Sequence, residues 1–211
     1  ENIKYNEAKK GTMESLINGV LFGLNQKNYH IGGFNAYIEC SIPRNVGLGS
    51  SANFGIMIGT ITNHLYNEGQ IENKYLVQIG RFATNTFYCK PSGLMNECVC
   101  CVGGFIKVDF KDPNSPDICK LNIDFSNFDY TLCSVNSNLI RSDNTVDYDA
   151  VPAEMIEVAH FFKKDVLREV SFDEFMKNYR IVRARVGDRP ALRALHFFKE
   201  EERVLKQSEA L

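Results

Sequence analysis

Two glycines and two adjacent hydroxyls stand together in Pro43-Arg44-Asn45-Val46-Gly47-Leu48-Gly49-Ser50-Ser51-Ala52, where a polar turn gives way to an apolar run. Glycines such as Gly47 and Gly49 let a backbone approach a ligand without interference from a Cβ. The first turn of a following helix adds unpaired N–H groups and the positive end of the helix dipole. A polyphosphate suits such a site, and the hydroxyls of Ser50 and Ser51 could donate to its oxygens or ligate Mg²⁺, a hard cation that prefers oxygen. The same residues also read as a plain helix cap and tight turn. The spacing excludes a P-loop, because G-x-x-x-x-G-K-[ST] does not occur.

Other chemistry-bearing residues are more dispersed. Cys98, Cys100 and Cys101 cluster, but C-x-C-C is not a paired C-x-x-C and no second ligand pair follows, so packed small hydrophobes explain them better than zinc. The histidines at 30, 64, 160 and 196 lie far apart and read as core or surface residues. Seven cysteines, an odd number without a secretory signal, point to reduced thiols in a cytoplasmic protein. Lys plus Arg number 24 against 26 Asp plus Glu, a formal net charge of -2 that gives no basic field for nucleic acid or an anionic membrane. No run approaches the ~18 apolar residues that a membrane span requires.

The elements that would position the glycine-rich turn are legible from periodicity. Met13, Leu16, Ile17, Val20, Leu21 and Leu24 predict an amphipathic helix over 7–28. Residues 34–42 alternate Phe34, Ala36, Ile38 and Cys40 against Asn35, Tyr37, Glu39 and Ser41, the pattern of a half-buried strand that Pro43 stops. Helices are expected over 50–67 and 73–88. Strands are expected at FIKVDF, KLNID and DYTLCSV, after Gly103 and Gly104. From Tyr148 onward helical spacing and charge dominate, broken by a turn at 186–190. Strands and helices out of strict βαβ order give an α+β class.

P-x-x-x-G-L-G-S-S-A resembles the phosphate-binding second motif of the GHMP small-molecule kinases, position for position. The segments NYHIGGFNAYI, IGTITNHLYNEG, KPSGLMNECVCCVGGFIKVDFKDP, DYDAVPAEM and VGDRPALRALHFFKEEERVLKQSEAL further resemble bacterial galactokinases in order and spacing. The resemblance implies a GHMP kinase fold, with a ribosomal S5 domain 2-like N-terminal domain and a left-handed βαβ unit. It places a nucleotide-binding domain, lacking its start, over 1–125 and the start of a mostly helical C-terminal domain over 126–211. It also implies ATP and Mg²⁺ as cosubstrates and phosphorylation of the C1 hydroxyl of galactose. ATP would contact Gly47, Gly49, Ser50 and Ser51, the metal Ser51, and the sugar Gly93, Asn96 and Tyr148, with Asn136-Ser137-Asn138 as the family's NSN segment.

Two acidic positions of the family are not acidic here. PSGLMNE stands where the family has PCGLMDQ, so Asn96 occupies the place of the catalytic base. An amide hydrogen-bonds a hydroxyl but cannot take its proton. The Mg²⁺-binding glutamate falls on Thr84, whose hydroxyl is a weaker, uncharged ligand. Homoserine kinases, by resemblance, share an amide at the place of Asn96. The family's first and third motifs are expected before residue 1 and after residue 211. Three readings are open: a galactokinase-type ATP phosphotransferase or a fragment of one, a pseudokinase or fragment that binds nucleotide, sugar or a partner without transfer, or a non-functional remnant.

Overall fold

The computed structural model describes residues 6–42, 48–90, 92–112, 114–129, 131, 133–135 and 145–211, with backbone only for Ala8, Thr145, Val146, Tyr148 and Asp149. It divides into two compact units, Glu1–Val108 and Asp109–Leu211. The first is a helical cluster built from α1 (Met13–Gln26), α2 (Ser50–Tyr66), α3 (Asn73–Phe82) and α4 (Met95–Val102). A short wide turn, Ala83–Phe87, continues α3.

Helix α1 begins at Met13, later than the periodicity suggests, because Gly11 takes a left-handed turn and Thr12 caps the helix. The Thr12 hydroxyl accepts the Ser15 N–H at 3.2 Å, satisfying one of the unpaired donors of the first turn. Leu16, Val20 and Leu24 recur at i, i+4 and i+8 and are almost completely buried. Gly19 lies on the side facing Ala83, so close that a Cβ there would sit 2.8 Å from the Ala83 Cβ and 2.9 Å from its Cα. Between α2 and α3, buried Asn63 ties the connection by accepting the Ile71 N–H at 3.0 Å and donating to the Ile71 carbonyl at 3.2 Å.

The expected helix over 50–67 is α2, and that over 73–88 is α3 with its wide turn. Helix α4 has no counterpart among the expected elements, because MNECVCCV carries β-branched and cysteine residues and is only eight residues long. Strand β1 (Phe105–Asp109) follows Gly103 and Gly104 as expected and pairs with β2 (Asp117–Leu121), which sits three residues earlier than the predicted KLNID. The alternating segment 34–42 forms no strand among the described residues. Alternation sets which side chains share a face, but a strand also needs a partner for its backbone N–H and C=O groups. Described residues of DYTLCSV are likewise unpaired, and no βαβ unit occurs among the described residues. The mixed class stands as α+β with a helical C-terminal part.

The second unit packs α5 (Thr145–Phe161), α6 (Phe172–Val186) and α7 (Asp188–Ala210) around Phe175, which is fully buried and meets Phe198 at a ring separation of 5.0 Å. Ser171 caps α6 by accepting the Glu174 N–H at 3.1 Å. Gly187, with φ +96°, is all that separates α6 from α7, so the predicted turn at 186–190 shrinks to one residue. Pro190 fits inside the first turn of α7, where its missing N–H leaves no bond unmade. Buried Glu154 on α5 holds α7 through Arg189 and through Arg193, whose Nη1 lies 2.6 Å from the carboxylate. No helix among the described residues is long and apolar enough to cross a membrane.

Two helical glycines of the first unit separate steric from conformational effects. Gly19→Ala should destabilise by about 1–2 kcal/mol, because overpacking at ~1–3 kcal/mol exceeds the gain in helix propensity. Gly55→Ala should instead stabilise by about 0.5–1 kcal/mol, since its new methyl meets nothing nearer than the Leu16 and Val20 side chains at 3.8 Å. Urea unfolding followed by circular dichroism measures both, and equal signs would refute the packing argument.

Candidate functional site

The glycine-serine turn enters α2 through Gly49, the cap residue, whose φ of +71° lies in the left-handed region where a side chain is strained. The first bond of the helix runs from the Asn53 N–H to the Gly49 carbonyl at 2.9 Å. Ahead of it the N–H groups of Ser50, Ser51 and Ala52 have no partner among the described residues, and Gly49 has no side chain to cap them. Three donors and the positive dipole end therefore converge at one point. Ser50 and Ser51 are the first two helical residues and are half-buried. No acidic residue occupies the first turn, so nothing there neutralises the field. Gly47 lies outside the described residues.

Asn96 comes to this point from the far side of the chain. It sits in the first turn of α4, exposed, with its Cγ 3.3 Å and its Oδ1 3.5 Å from where a Cβ on Gly49 would stand. A Cβ at 49 would press on the amide as well as strain the left-handed backbone, so glycine eases both the conformation and the approach of Asn96. Gly93 stands three residues earlier on the same turn, exposed and with nothing within 4 Å of an added Cβ. The turn is fastened to the segment before it by Asn85, whose Oδ1 accepts the Ser92 N–H at 2.8 Å and whose Nδ2 donates to the Ser92 carbonyl at 3.3 Å. Nothing in the sequence singles out Asn85, because an amide seven residues from its partner makes no periodic pattern.

Thr84 is brought near this region but faces inward. It is 1% exposed, and its hydroxyl donates to the Gly80 carbonyl at 3.0 Å, the previous helical turn. The carboxylate of the neighbourhood is Glu97, also 1% exposed and directed between α3 and α2, where its Cγ is 3.4 Å from the Cβ position of Gly80. Among the described residues neither of its carboxylate oxygens has a hydrogen-bond partner outside Glu97 itself. Burial pushes the Glu97 acid above the usual carboxylate range, opposed by its own backbone N–H and by the charges of Arg81 and Lys90. Burial also pushes the Cys98 and Cys101 thiols up to about 11, so they are neutral at pH 7 and unsuited to holding a metal as they stand. Among the described residues no group of three or more His, Cys, Asp or Glu could hold a metal ion. The residues fit a phosphate group, and Ser51 is the side chain at hand for an accompanying cation. They do not supply the carboxylate that the resemblance places at 84. Tyr148 lies on α5 in the second unit, and its side chain and the segment 136–138 are outside the described residues.

Residues 15–104, which take in all but the first two residues of α1, the glycine-serine turn and α2 to α4, match the GHMP kinases N terminal domain. The galactokinase of Clostridium tetani is 27% identical over 206 residues, 97% of this chain and 51% of that protein. The galactokinase of Enterococcus faecalis is 30% identical over 198 residues, 92% of this chain and 50% of its own length. That of Lacticaseibacillus paracasei is 28% identical over 183 residues, 85% and 46% respectively. The chain thus spans about half the length of the curated relatives it matches.

The geometry at Gly49 predicts a measurable anion site. Gly49→Ala should lower the affinity for inorganic tripolyphosphate about tenfold, because the ~1–2 kcal/mol strain of a left-handed alanine would rearrange the turn. Gly93→Ala, entering open space, should leave it unchanged. Isothermal titration of both variants decides the matter, and equal affinities would disprove a site at the start of α2.

Proposed function

Since this chain belongs to the GHMP kinases and resembles galactokinases over nearly its whole length, we propose that it binds ATP and a hexose in a galactokinase-type site without transferring phosphate. The observation that carries the nucleotide half is the start of α2. There left-handed Gly49, the N–H groups of Ser50 to Ala52, which have no partner among the described residues, and Asn96 all meet. Gly49, Ser50 and Ser51, with Gly47 by resemblance alone, would hold the phosphates, and the Ser51 hydroxyl would be an oxygen ligand for Mg²⁺. The metal supplies charge neutralisation for the polyphosphate when bound. Gly93 and Asn96 line the sugar side of the turn, and Tyr148 is a sugar contact by resemblance alone.

The transfer half fails on charge. Phosphoryl transfer needs in-line positioning and a group that accepts or orients the proton of the attacking hydroxyl. Asn96 offers that hydroxyl a hydrogen bond and no base. Thr84 spends its hydroxyl on the Gly80 carbonyl, and Glu97 faces the packed interior. The activity for which the relatives are named, phosphorylation of galactose, is therefore the ancestry of this site, and the pseudokinase reading describes the chain as it stands. A cytoplasmic setting suits a reduced, ATP-using protein of this kind.

Calorimetry with ATP and Mg²⁺, followed by a coupled assay for galactose-dependent ADP release, tests the two halves separately. Saturable ATP binding with no galactose-dependent turnover is expected, since loss of a general base alone lowers rates ~10²–10⁴-fold. Clear turnover by the 211-residue chain would overturn the non-transferring reading. Failure to bind ATP would overturn the nucleotide site itself.

A further inference from the structure

Asn96 and Glu97 are neighbours in sequence with opposite environments. Asn96 is exposed against Gly49, whereas Glu97 is buried between α4, α3 and α2, with neither oxygen partnered outside its own residue among the described residues. We propose that Glu97 is a proton-dependent positioning residue. When neutral it lets α4 seat against α2 and α3 and hold Asn96 on Gly49, and when ionised it lifts α4 and withdraws Asn96 from the start of α2.

The surroundings explain why ionisation cannot be absorbed in place. From α2 the contact is Ile56, which shares the space over Gly80 with Glu97, and α2 contains no Asp, Glu, Lys or Arg, its one titrating imidazole being His64 in the last turn. From α3 the facing residue is Gly80, and the charged group nearby is half-buried Arg81. Lys90, exposed on the segment leading to α4, is the other cation whose field reaches the site. On α4 itself Cys98 and Cys100 feel the carboxylate but provide no donor that pairs with it. Neither cation forms an ion pair with Glu97, so among the described residues a charged carboxylate would have no donor but its own backbone N–H in a packed interface. Opening α4 to water is the remaining way to solvate it. The proton then passes from the carboxyl to bulk solvent.

The helix is suited to such movement. It has only eight residues, is entered from the turn that Asn85 fastens, and ends at Gly103, so its attachment to the unit depends on the buried face that includes Glu97 and Cys98. The sign of the effect comes from linkage. A buried acid whose folded-state value lies above its open-state value leaves the closed helix most stable below the ordinary carboxylate range. That advantage is lost as pH rises towards the folded value. Over that window the population of open α4 rises about tenfold per pH unit and flattens above it.

Hydrogen exchange of the α4 amides, Cys98 to Val102, in the wild-type chain relative to Glu97→Gln reads this directly. The ratio of rates removes the intrinsic pH dependence of exchange. It should be near one at pH 4 and climb about tenfold per pH unit before levelling. A ratio independent of pH would overturn the proposal. Should Glu97→Gln fail to fold, ¹³C titration of the Glu97 carboxyl in the wild-type chain answers the same question. A midpoint above those of the exposed glutamates supports the proposal, and one in their range overturns it. The consequence for nucleotide rests on the proposed phosphate site at the start of α2. Both measurements are made without ligand, so failure to bind ATP would sink that site and leave this test standing.

Discussion

The missing side chain of Gly80 is the constraint on which the first unit depends. Ile56 of α2 comes within 3.1 Å and Glu97 of α4 within 3.4 Å of where its Cβ would stand. The same residue's carbonyl takes the hydroxyl of Thr84. One backbone position thus lets three elements meet and accounts for the burial of both Thr84 and Glu97. A Cβ there would crowd Ile56 of α2 first and meet Glu97 of α4 at contact distance. The distance between the core and the candidate site is therefore short: one helix of eight residues carries the core contact on one face and Asn96 on the other.

That arrangement gives physical content to the two family departures. The family pattern that this sequence resembles has an acid followed by an amide at these two positions. Here the order is Asn96-Glu97, so the amide faces outward and the acid inward. An exposed amide near α2 is tolerated at little cost and still hydrogen-bonds. A buried acid without partners is costly when charged and holds its proton instead. Relative to that pattern, the start of α2 faces no carboxylate from position 96, and a titratable group lies buried at 97. A start of α2 free of acidic residues favours an anion and offers no base to an alcohol, which is the basis of the proposed separation of binding from transfer.

The second unit is stabilised by a different balance. Its core is aromatic, centred on Phe175, and its helices are locked by partly buried charge: Glu154 with Arg189 and Arg193, and Arg168 with Asp109 at 2.8 Å and Glu201 at 2.7 Å. Arg193 and Glu154 approach at 2.6 Å without the alignment of a hydrogen bond, so their contact acts through charge and not through direction. The Lys and Glu pairs along the outer half of α7 are exposed and contribute little individually. They keep that half of the helix solvated where it has no core beneath it.

Local signals in the sequence determined a good deal of this. The periodicity of Leu16, Val20 and Leu24 specified α1, the run from Ser50 specified α2, and the glycine-serine spacing specified a turn into a helix start, because each depends on residues within a turn or two of one another. The kinase resemblance was legible for the same reason, since a motif is local by construction. The strand pattern at 34–42 misled, as alternation is a property of the segment while a strand is a property of two. Helix α4 left no such signal because its helicity comes from burying Glu97 and Cys98 against α2 and α3, not from its own eight residues. Only the tertiary structure decided that Asn96 reaches Gly49, that Thr84 turns inward, and that the acid at 97 has no partner. Those facts depend on which residues, far apart in the chain, are admitted to the space above a single glycine.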